Sequence, residues 1–394
     1  MATPQDYVVW NLSAIAVRTE TLASVDAING TPALSDMIVG EITVRMPQQA
    51  AEDPSINFSL DSNAPIVTGI KPEVTIRVPL RGAGTPGQAP EWGKLMRACR
   101  FAELLTAAAI GAPTAATAGN RTSVTLPATP FSGAANAYRG MPTQLSGAPA
   151  SAIVLPASGY TAGRTLTLPY YFDAPLSTST LVQVLPNALY TPTSDMALIK
   201  PVTMYAYRNG LRHRIVGSVG SAQLEMNAGQ PAFITFTMKG MLLDAFQPAN
   251  PPAGWNQVAR VQPPAWLNGV SRLDGLLCNC ARFTWDLGVE VVDPENPEAA
   301  QGFDNPMIVS ATQRLTIDPF SNSTRSPTRF TKYQAGQGLD FAAVIGQTAG
   351  NRISVCMPSG ILTAMDESNR SKLGVDQMTL APNLPDAGVF LAVF

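Results

Sequence analysis

The run from residue 202 to 240 constrains the fold more than any other stretch, because it reads as three consecutive antiparallel strands. Asn209-Gly210, between the first two, is typical of a type I′ hairpin turn, which needs a positive φ twice. The middle strand, residues 211–226, would span roughly 50 Å at ~3.3 Å per residue. Gly217 and Gly220 inside it predict a bend or bulge. A ribbon this long extends beyond the core of a small domain, so we expect part of it to pack against another chain.

Composition supports a protein whose surfaces are covered by neighbours. The chain has 394 residues, enough for two or three domains, and 45% of them are hydrophobic. Charged residues make up only 14%, against about 25% in an average protein. An Ala/Pro-rich composition is the alternative explanation. The net charge of −2 excludes a basic nucleic-acid footprint, and no apolar run is long enough to predict a transmembrane helix.

The first 80 residues predict strands and a hairpin with an oversized tip. Residues 13–20 and 37–46 alternate apolar and polar side chains, as do residues 65–80. A polar loop, residues 47–64, connects the segments 37–46 and 65–80. Loops of this length inside compact domains are usually functional or disordered.

One amphipathic helix follows. Pro90 stands at its first turn, where the missing N–H costs nothing. The inward positions at helical spacing are Trp92, Leu95, Met96, Cys99 and Phe101/Ala102, and the outward ones are Lys94, Arg97 and Arg100. This spacing predicts a helix packed on one sheet.

Composition changes between residues 110 and 194, which are rich in Ala, Thr, Ser, Gly and Pro and contain four short apolar runs. Short strands separated by turn signals predict a small inserted β module. Residues 245–272 are Pro-rich and read as an extended linker.

The last third of the chain echoes the first part. Met307-Ile308-Val309 opens a strand as Met37-Ile38-Val39 does, a short helical stretch follows near residues 328–334, and Arg352-Ile353 begins a strand as Arg214-Ile215 does. The shared order of hairpin, helix and hairpin predicts an internal duplication.

The sequence offers no positive argument for an enzyme. Its single histidine, His213, lies between two arginines in the long strand and is expected at a surface or interface. One histidine excludes a histidine metal cluster, and no cofactor motif is present. Two carboxylate groups occur, at residues 290–298 and at Asp366-Glu367, in segments that read as solvated hairpin tips.

Several motifs resemble those of the tail tube (major tail) proteins of long-tailed bacteriophages. They are EWGKLMRACRFAE at 91–103, YTPTS at 190–194, and MYAYRNGLRHRIVGSVGSAQLEMNAGQPAFITFTMKGML at 204–242. AYRGM at 137–141 with RTLTLPYY at 164–171 is similar to a small β module inserted into phage structural proteins. Arg100 departs from the pattern, since the family often has glycine before this phenylalanine.

The resemblance implies a mainly β fold of tandem tail-tube β-sandwich or barrel domains, each with a flanking helix, plus the small inserted β module. We expect a first tube domain at 1–110 and 195–245, the module at 111–194, a Pro-rich linker at 246–272 and a second tube-like domain at 273–394.

The resemblance also implies a structural virion protein that polymerises as stacked rings into the tail tube and forms the channel for genome delivery. Its main partner would be itself, as a homotrimeric ring of pseudo-sixfold symmetry. The tape measure protein and DNA would occupy the lumen transiently, and the tail terminator and tail tip proteins would bind the ends. The tail would be assembled in the host cytoplasm without a membrane.

Two surfaces follow from this resemblance. The candidate inter-ring loop contains Gln48, Gln49, Glu52, Asp53, Asn57 and Asp61. The candidate lumen face contains Glu41, Thr43, Gln223, Glu225, Thr235 and Thr237, whose alternation also fits an outer, solvated face.

Two other functions stay open on the sequence. One is a different virion component, either a terminator or a carbohydrate-binding adhesion protein, for which Tyr170-Tyr171-Phe172 is the one aromatic platform. The other is a hydrolase using a carboxylate pair from one of the two loop groups of carboxylates, with Glu295 in the first and Asp366 in the second as the positions to test.

Overall fold

The computed structural model describes residues 8–56, 58–61 and 63–394. The chain is mainly β, with 48% of residues in strands and 6% in helices, which confirms the predicted fold class. Its strands form several sheets, none of them a closed barrel in the described ranges.

The N-terminal part contains seven strands and the first helix: β1 (Ser13–Thr19), β2 (Met37–Ile38), β3 (Glu41–Arg45), β4 (Gln48–Ala51), β5 (Ile66–Ile70), β6 (Glu73–Pro79), α1 (Gly93–Ala98) and β7 (Phe101–Thr106). β3 pairs with β6, as the predicted hairpin requires. The predicted polar loop 47–64 is shorter than expected, because β4 and β5 pair with each other beyond that hairpin. They form an arm, and the described residues of its tip are 52–56, 58–61 and 63–65.

Eight short strands follow, where the inserted module is expected: β8 (Ile110–Ala115), β9 (Ala118–Gly119), β10 (Ser123–Thr125), β11 (Pro142–Ser146), β12 (Ile153–Pro156), β13 (Gly159–Tyr160), β14 (Thr165–Thr167) and β15 (Leu181–Val184). They pair among themselves in two four-stranded sheets and enclose a hydrophobic cluster of their own. Part of that cluster comes from the chain's C-terminal strand, including Phe390.

The remaining elements are β16 (Asn187–Pro192), β17 (Val202–Arg208), β18 (Leu211–Asn227), β19 (Phe233–Pro248), β20 (Val270–Leu273), β21 (Leu276–Leu277), β22 (Cys280–Asp286), β23 (Val289–Val292), β24 (Met307–Ala311), β25 (Arg314–Pro319), α2 (Arg325–Gln334), β26 (Gly338–Ile345), β27 (Ile353–Arg370), β28 (Leu373–Pro382) and β29 (Phe390–Val393). β17, β18 and β19 form the predicted antiparallel ribbon. Asn209 and Gly210 both have positive φ, as a type I′ turn requires.

Two sets of six strands pair in the same order. The first set runs β1-β17-β18-β19-β6-β3, and the second runs β20-β26-β27-β28-β25-β22. In each set the last two strands of the order continue into a hairpin arm. The pair β6–β3 continues into the arm β4–β5, and the pair β25–β22 continues into the arm β23–β24. One predicted equivalence is wrong: Met307 begins an arm strand, whereas Met37 begins β2, which pairs with β1.

The two sets join into one continuous sheet. β18 of the first set pairs with β22 of the second, so that eight antiparallel strands lie in the order β3-β6-β19-β18-β22-β25-β28-β27. A single large hydrophobic core packs against this sheet and includes side chains of both sets. We call this assembly the eight-stranded sheet.

The helix α1 buries Trp92, Leu95 and Met96 in that core, as its spacing predicts. It is shorter than expected and ends at Ala98, with Cys99 as its C-cap, because Arg100 adopts a left-handed φ of 70° and the chain then enters β7. A left-handed residue after a helix is commonly glycine, so an arginine in this position carries the steric penalty of its Cβ.

The predicted linker begins later than expected, since β19 continues to Pro248 and β20 starts at Val270. The segment between them contains one short 3-10 turn, Trp255–Gln257. Trp266 packs against Phe283 at 5.3 Å between ring centroids. The end of this segment is therefore anchored in the core.

Candidate assembly surfaces

The eight-stranded sheet has one apolar and one polar face, since successive strand side chains point to opposite sides. Buried side chains from seven of its strands face the core: Ile42, Ile76, Phe236, Leu224, Trp285, Leu315 and Leu380. Threonine and serine dominate the other face, with Thr43, Thr75, Thr237, Ser221, Thr284, Thr316 and Thr379. We call this second side the polar face.

All six residues of the predicted lumen face lie on the polar face. Rows across the strands bring them together: Thr43 is opposite Thr75, which is opposite Thr237, and Glu41, Arg77, Thr235 and Gln223 form the next row. Glu225 follows Gln223 on the same side of β18. The residues thus form one surface, and its exposure to a lumen stays a prediction.

The polar face continues from the first set of strands into the second. Gln223 of β18 is opposite Asp286 of β22, which is in turn opposite Arg314 of β25. Sequence reasoning missed this half of the surface, because local alternation does not reveal which strands are neighbours. The available signals were the alternation of polar and apolar residues at 282–286 and at 314–317.

Two arginines of the polar face are paired with carboxylates. A guanidinium nitrogen of Arg77 lies 3.6 Å from a carboxylate oxygen of Glu41, and Arg282 lies 3.3 Å from Glu225. Arg77 also stacks over the Phe233 ring at 3.9 Å from its centroid. Exposed ion pairs contribute little stability. They place a carboxylate beside each of these two guanidinium groups.

The arm formed by β4 and β5 divides the predicted inter-ring residues. Gln48 and Gln49 lie in β4, whereas Glu52, Asp53 and Asp61 lie in the tip, and Asn57 is outside the described residues. The Ser55 N–H donates to the Asp53 carboxylate at 3.0 Å, and the Ser55 hydroxyl donates at 2.5 Å. These bonds lower the pKa of Asp53.

The tip of this arm presents apolar side chains to solvent. Ile56, Phe58 and Leu60 have relative exposures of 98%, 105% and 108%. Grouped exposed apolar side chains mark interaction sites on soluble proteins. Our sequence interpretation considered only the polar residues of this loop. The signal was present in the alternating apolar residues of Ile-Asn-Phe-Ser-Leu at 56–60.

The second arm, β23–β24, contacts the base of the first. Lys71 Nζ lies 3.6 Å from the Asp293 carboxylate and 4.9 Å from the centroid of the Phe303 ring. The backbone of Gln301 approaches Gly69 so closely that a Cβ there would lie 2.5 Å from its carbonyl oxygen. The bases of the two arms are therefore packed together.

The predicted aromatic platform is largely closed. Phe172 is buried, and Tyr170 packs against it with 4.5 Å between ring centroids. Tyr171 is exposed and has the Arg121 guanidinium 5.4 Å from its ring centroid. A sugar ring would therefore meet one open aromatic side chain of the three.

The two carboxylate groups lie on different elements of the fold. Asp366 and Glu367 lie within β27, opposite Gln377 and Asp376, and not in a hairpin tip as predicted. Glu295 is in the tip of the second arm.

His213 is buried within the chain, whereas the sequence predicted a position at a surface or an interface. The Phe246 ring stacks edge-on at 4.7 Å between centroids, and the Phe246 N–H donates to Nδ1 at 3.4 Å. Burial lowers the pKa of His213, with a smaller effect from Arg208. This histidine therefore acts as a packed core residue of the ribbon.

In the part of the chain that the structure describes, no helix has the length and apolar character needed to cross a membrane. A comparison with curated proteins finds no match. A family model described as phage tail tube protein matches residues 10–383, nearly the whole chain. This chain therefore belongs to the phage tail tube protein family, whose members are structural proteins of the virion tail that self-assemble into the tail tube.

Proposed function

We propose that the chain assembles into rings that stack into a tube, with the polar face lining the channel for genome delivery. The observation that carries this proposal is the continuity of the polar face across both sets of strands. The opposite face of the sheet is covered by one continuous hydrophobic core, so only the polar face is available to line a channel. This structural role leaves no need for catalysis.

The chemistry of the polar face suits a conduit for DNA. A channel that binds its cargo tightly would slow its passage, and phosphate binding grows with the number of free Lys and Arg side chains. Here hydroxyl side chains dominate, and Arg77 and Arg282 are both paired with carboxylates, which leaves Arg45, Lys239 and Arg314 as the cations of this face without an ion pair among the described residues. The tape measure protein and then DNA would occupy such a channel transiently.

We further propose that the two sets of strands are tandem tube domains, so that three chains form a ring of pseudo-sixfold symmetry. The identical pairing order of the two sets supports this division, as do the helix and the arm that accompany each set. The module at 111–194 is an insertion into the first domain, which then resumes at 195–245.

The arms supply the contacts between rings in this proposal. Ile56, Phe58 and Leu60 at the tip of the first arm would be buried against the neighbouring ring. Stacking of this kind is heterologous and grows in an open-ended manner. The terminator and tip proteins would cap the exposed ends of the tube, and assembly would take place in the host cytoplasm.

Electron microscopy of the concentrated protein tests the assembly. We expect stacked rings in negative stain and three chains per ring in end-on class averages. A protein that stays monomeric at every concentration would contradict the proposal.

Chemical protection tests which surface faces the channel. A Gln223→Cys variant places a thiol on the polar face, and Ala162→Cys places one on an exposed turn of the module. A bulky maleimide-polyethylene glycol should modify both thiols in dissociated chains, but only the second in tubes. Equal modification of both in tubes would exclude the polar face as the lumen.

A further inference from the structure

The strand β29 fills a groove between two strand edges that come from different parts of the chain. On one side it pairs antiparallel with β16, from Ala188–Val393 to Tyr190–Leu391, and on the other it pairs with residues 353–356 of β27. β16 is bound to β7 on its far side, and this part of β27 is bound to β26. Among the described strands, β29 is therefore the one that completes both edges.

The two faces of β29 enter two different hydrophobic cores. Val389, Leu391 and Val393 belong to the core that packs against the eight-stranded sheet. Phe390 and Ala392 belong to the core of the inserted module. All five side chains are buried. A single strand thus lines both cores, and each core would lose part of its lining without it.

Further contacts fix the position of this segment along the groove. The Val389 N–H donates to the side-chain oxygen of Gln313 at 3.0 Å, and Gln313 is itself buried. Phe394 exchanges two backbone hydrogen bonds with Arg352, of 3.0 and 3.1 Å. The Phe390 ring lies so close to Gly140 of the module that a Cβ there would be 2.7 Å from a ring carbon. These contacts define a site for one extended segment in one register.

The connection that leads to this segment is open to solvent. The four residues 383–386, between β28 and β29, are exposed, whereas every residue from Ala387 to Phe394 is buried. A buried extended segment that follows an exposed connection has the arrangement of a peptide ligand tethered to its binding site. The tether keeps the ligand at a high effective concentration near that site.

We propose that β16, residues 353–356 of β27 and the module form a binding groove for an extended apolar segment, and that residues 387–394 are its tethered ligand. Backbone pairing on both sides supplies affinity, and the alternation of Phe390 with Val389 and Leu391 supplies specificity. Docking of the segment joins the module, β16 and the second set of strands into one body. The chain becomes competent to stack only with the segment docked, a consequence that rests on the proposed tube.

Cleavage after folding tests whether the segment binds as a separate ligand. A protease recognition sequence is inserted between Leu384 and Pro385, which are both exposed. After cleavage, residues 385–394 should co-elute with the chain in gel filtration and dissociate only in moderate urea. The stripped chain should then bind a fluorescent peptide of residues 385–394 with one-to-one stoichiometry. Exchange of this peptide into the cleaved chain before stripping gives the same readout if the stripped chain is insoluble.

A doubly substituted peptide is the matched control for binding. Phe390→Ser with Leu391→Ser removes one buried apolar side chain from each face of the strand. We expect this peptide to bind at least about tenfold more weakly, because it loses apolar area that the wild-type segment buries.

A disulfide supplies the control for assembly. Ala188→Cys with Val393→Cys places two thiols opposite each other across β16 and β29. Treatment of the cleaved chain with oxidised glutathione should retain the segment in urea, and reduction should release it. After removal of the urea, the oxidised chain should form tubes. The reduced and stripped chain should form them only when the peptide is added.

The outcomes separate this inference from the proposed function. A segment that leaves the cleaved chain at once, with no change in melting temperature, would overturn the binding groove. Equal binding of the wild-type and doubly substituted peptides would do the same. Stripped chains that form tubes of normal length would overturn the requirement for docking. A wild-type protein that forms no tubes would contradict the proposed function alone, because the peptide measurements do not depend on assembly.

Discussion

The carboxylate of Glu20 accepts a hydrogen bond of 2.7 Å from the backbone N–H of Gly217, although 197 positions separate the two residues. The Thr203 hydroxyl donates to the same carboxylate at 2.8 Å, and the Ser24 N–H donates at 2.7 Å. Gly217 has a left-handed φ of 62° and lies where the pairing of β18 with β19 shifts register. The predicted bulge therefore exists, and a buried carboxylate satisfies its backbone.

Replacement of Glu20 with alanine should destabilise the protein strongly. It would leave three donors without their acceptor, of which the Thr203 hydroxyl and the Gly217 N–H are buried, and each buried donor costs about 1–3 kcal/mol before relaxation. We expect a total loss of about 2–4 kcal/mol in urea denaturation. Glu20→Gln retains one acceptor oxygen and should lose less. A Glu20→Ala variant as stable as the wild type would contradict this role.

Replacement of Arg100 with glycine and with alanine should give proteins of different stability, because the backbone at this position is strained for any residue with a Cβ. Both substitutions remove the ion pair in which an Arg100 guanidinium nitrogen lies 2.9 Å from an Asp386 carboxylate oxygen. The stability lost with this ion pair is therefore the same in both variants and does not affect the difference between them. At a φ of 70° alanine retains the steric penalty of a Cβ, whereas glycine does not. We expect Arg100→Gly to be more stable than Arg100→Ala by about 1 kcal/mol in thermal or chemical denaturation. The reverse order would show that the left-handed conformation carries no strain.

Asp340 should make stability depend on pH near neutrality. Its burial, with the nearby charge of Asp274 as the next cause, raises its pKa to about 6, well above the ordinary value of 3.8 for an aspartate. The folded state therefore binds the proton more tightly than the unfolded state, and this group adds stability as pH falls from about 6 towards 4.

An Asp340→Asn variant removes that dependence. Its amide oxygen can still accept the Gly275 N–H, which donates to Asp340 at 3.1 Å. We expect the variant to be more stable than the wild type at pH 8, by on the order of 2 kcal/mol, and to lose that advantage at pH 4. Parallel stability curves for the two proteins between pH 4 and 8 would refute the raised pKa.

Loss of the apolar arm tip should impair stacking without affecting the fold. Phe58→Ser with Leu60→Ser changes side chains that are fully exposed. The melting temperature should therefore stay close to that of the wild type. Tubes should be much shorter, or should need higher protein concentration, in negative-stain images.

A second exposed pair supplies the control for this experiment. Leu22→Ser with Val25→Ser removes two exposed apolar side chains from a different loop. Tubes of normal length in that variant would assign the effect to the arm. Tubes of normal length in the arm variant itself would exclude the tip from the inter-ring contact.

Features encoded by neighbouring residues were predictable from the sequence. The Asn209-Gly210 turn and the 17-residue strand β18 follow from local turn chemistry and alternation. The buried stripe of α1 follows from helical spacing, although the left-handed Arg100 ends the helix earlier than that spacing suggests.

Features that depend on distant partners were not predictable in this way. Glu20 looks like an ordinary polar residue after a strand until Gly217 approaches it. The β18–β22 seam depends on a choice of neighbours that alternation leaves open. Gln48 and Gln49 lack an apolar alternation, so their strand became visible only through its pairing with β5.

The β18–β22 seam has a consequence for the kinetics of tube growth. Two halves held on one polypeptide meet at a high effective concentration, so this junction forms as the chain folds and costs no loss of translational freedom between molecules. In a ring of three such chains, every second junction would thus be complete before any two subunits collide. Fewer encounters would then be needed to start a tube, and its nucleation would depend less steeply on protein concentration than that of a six-membered ring.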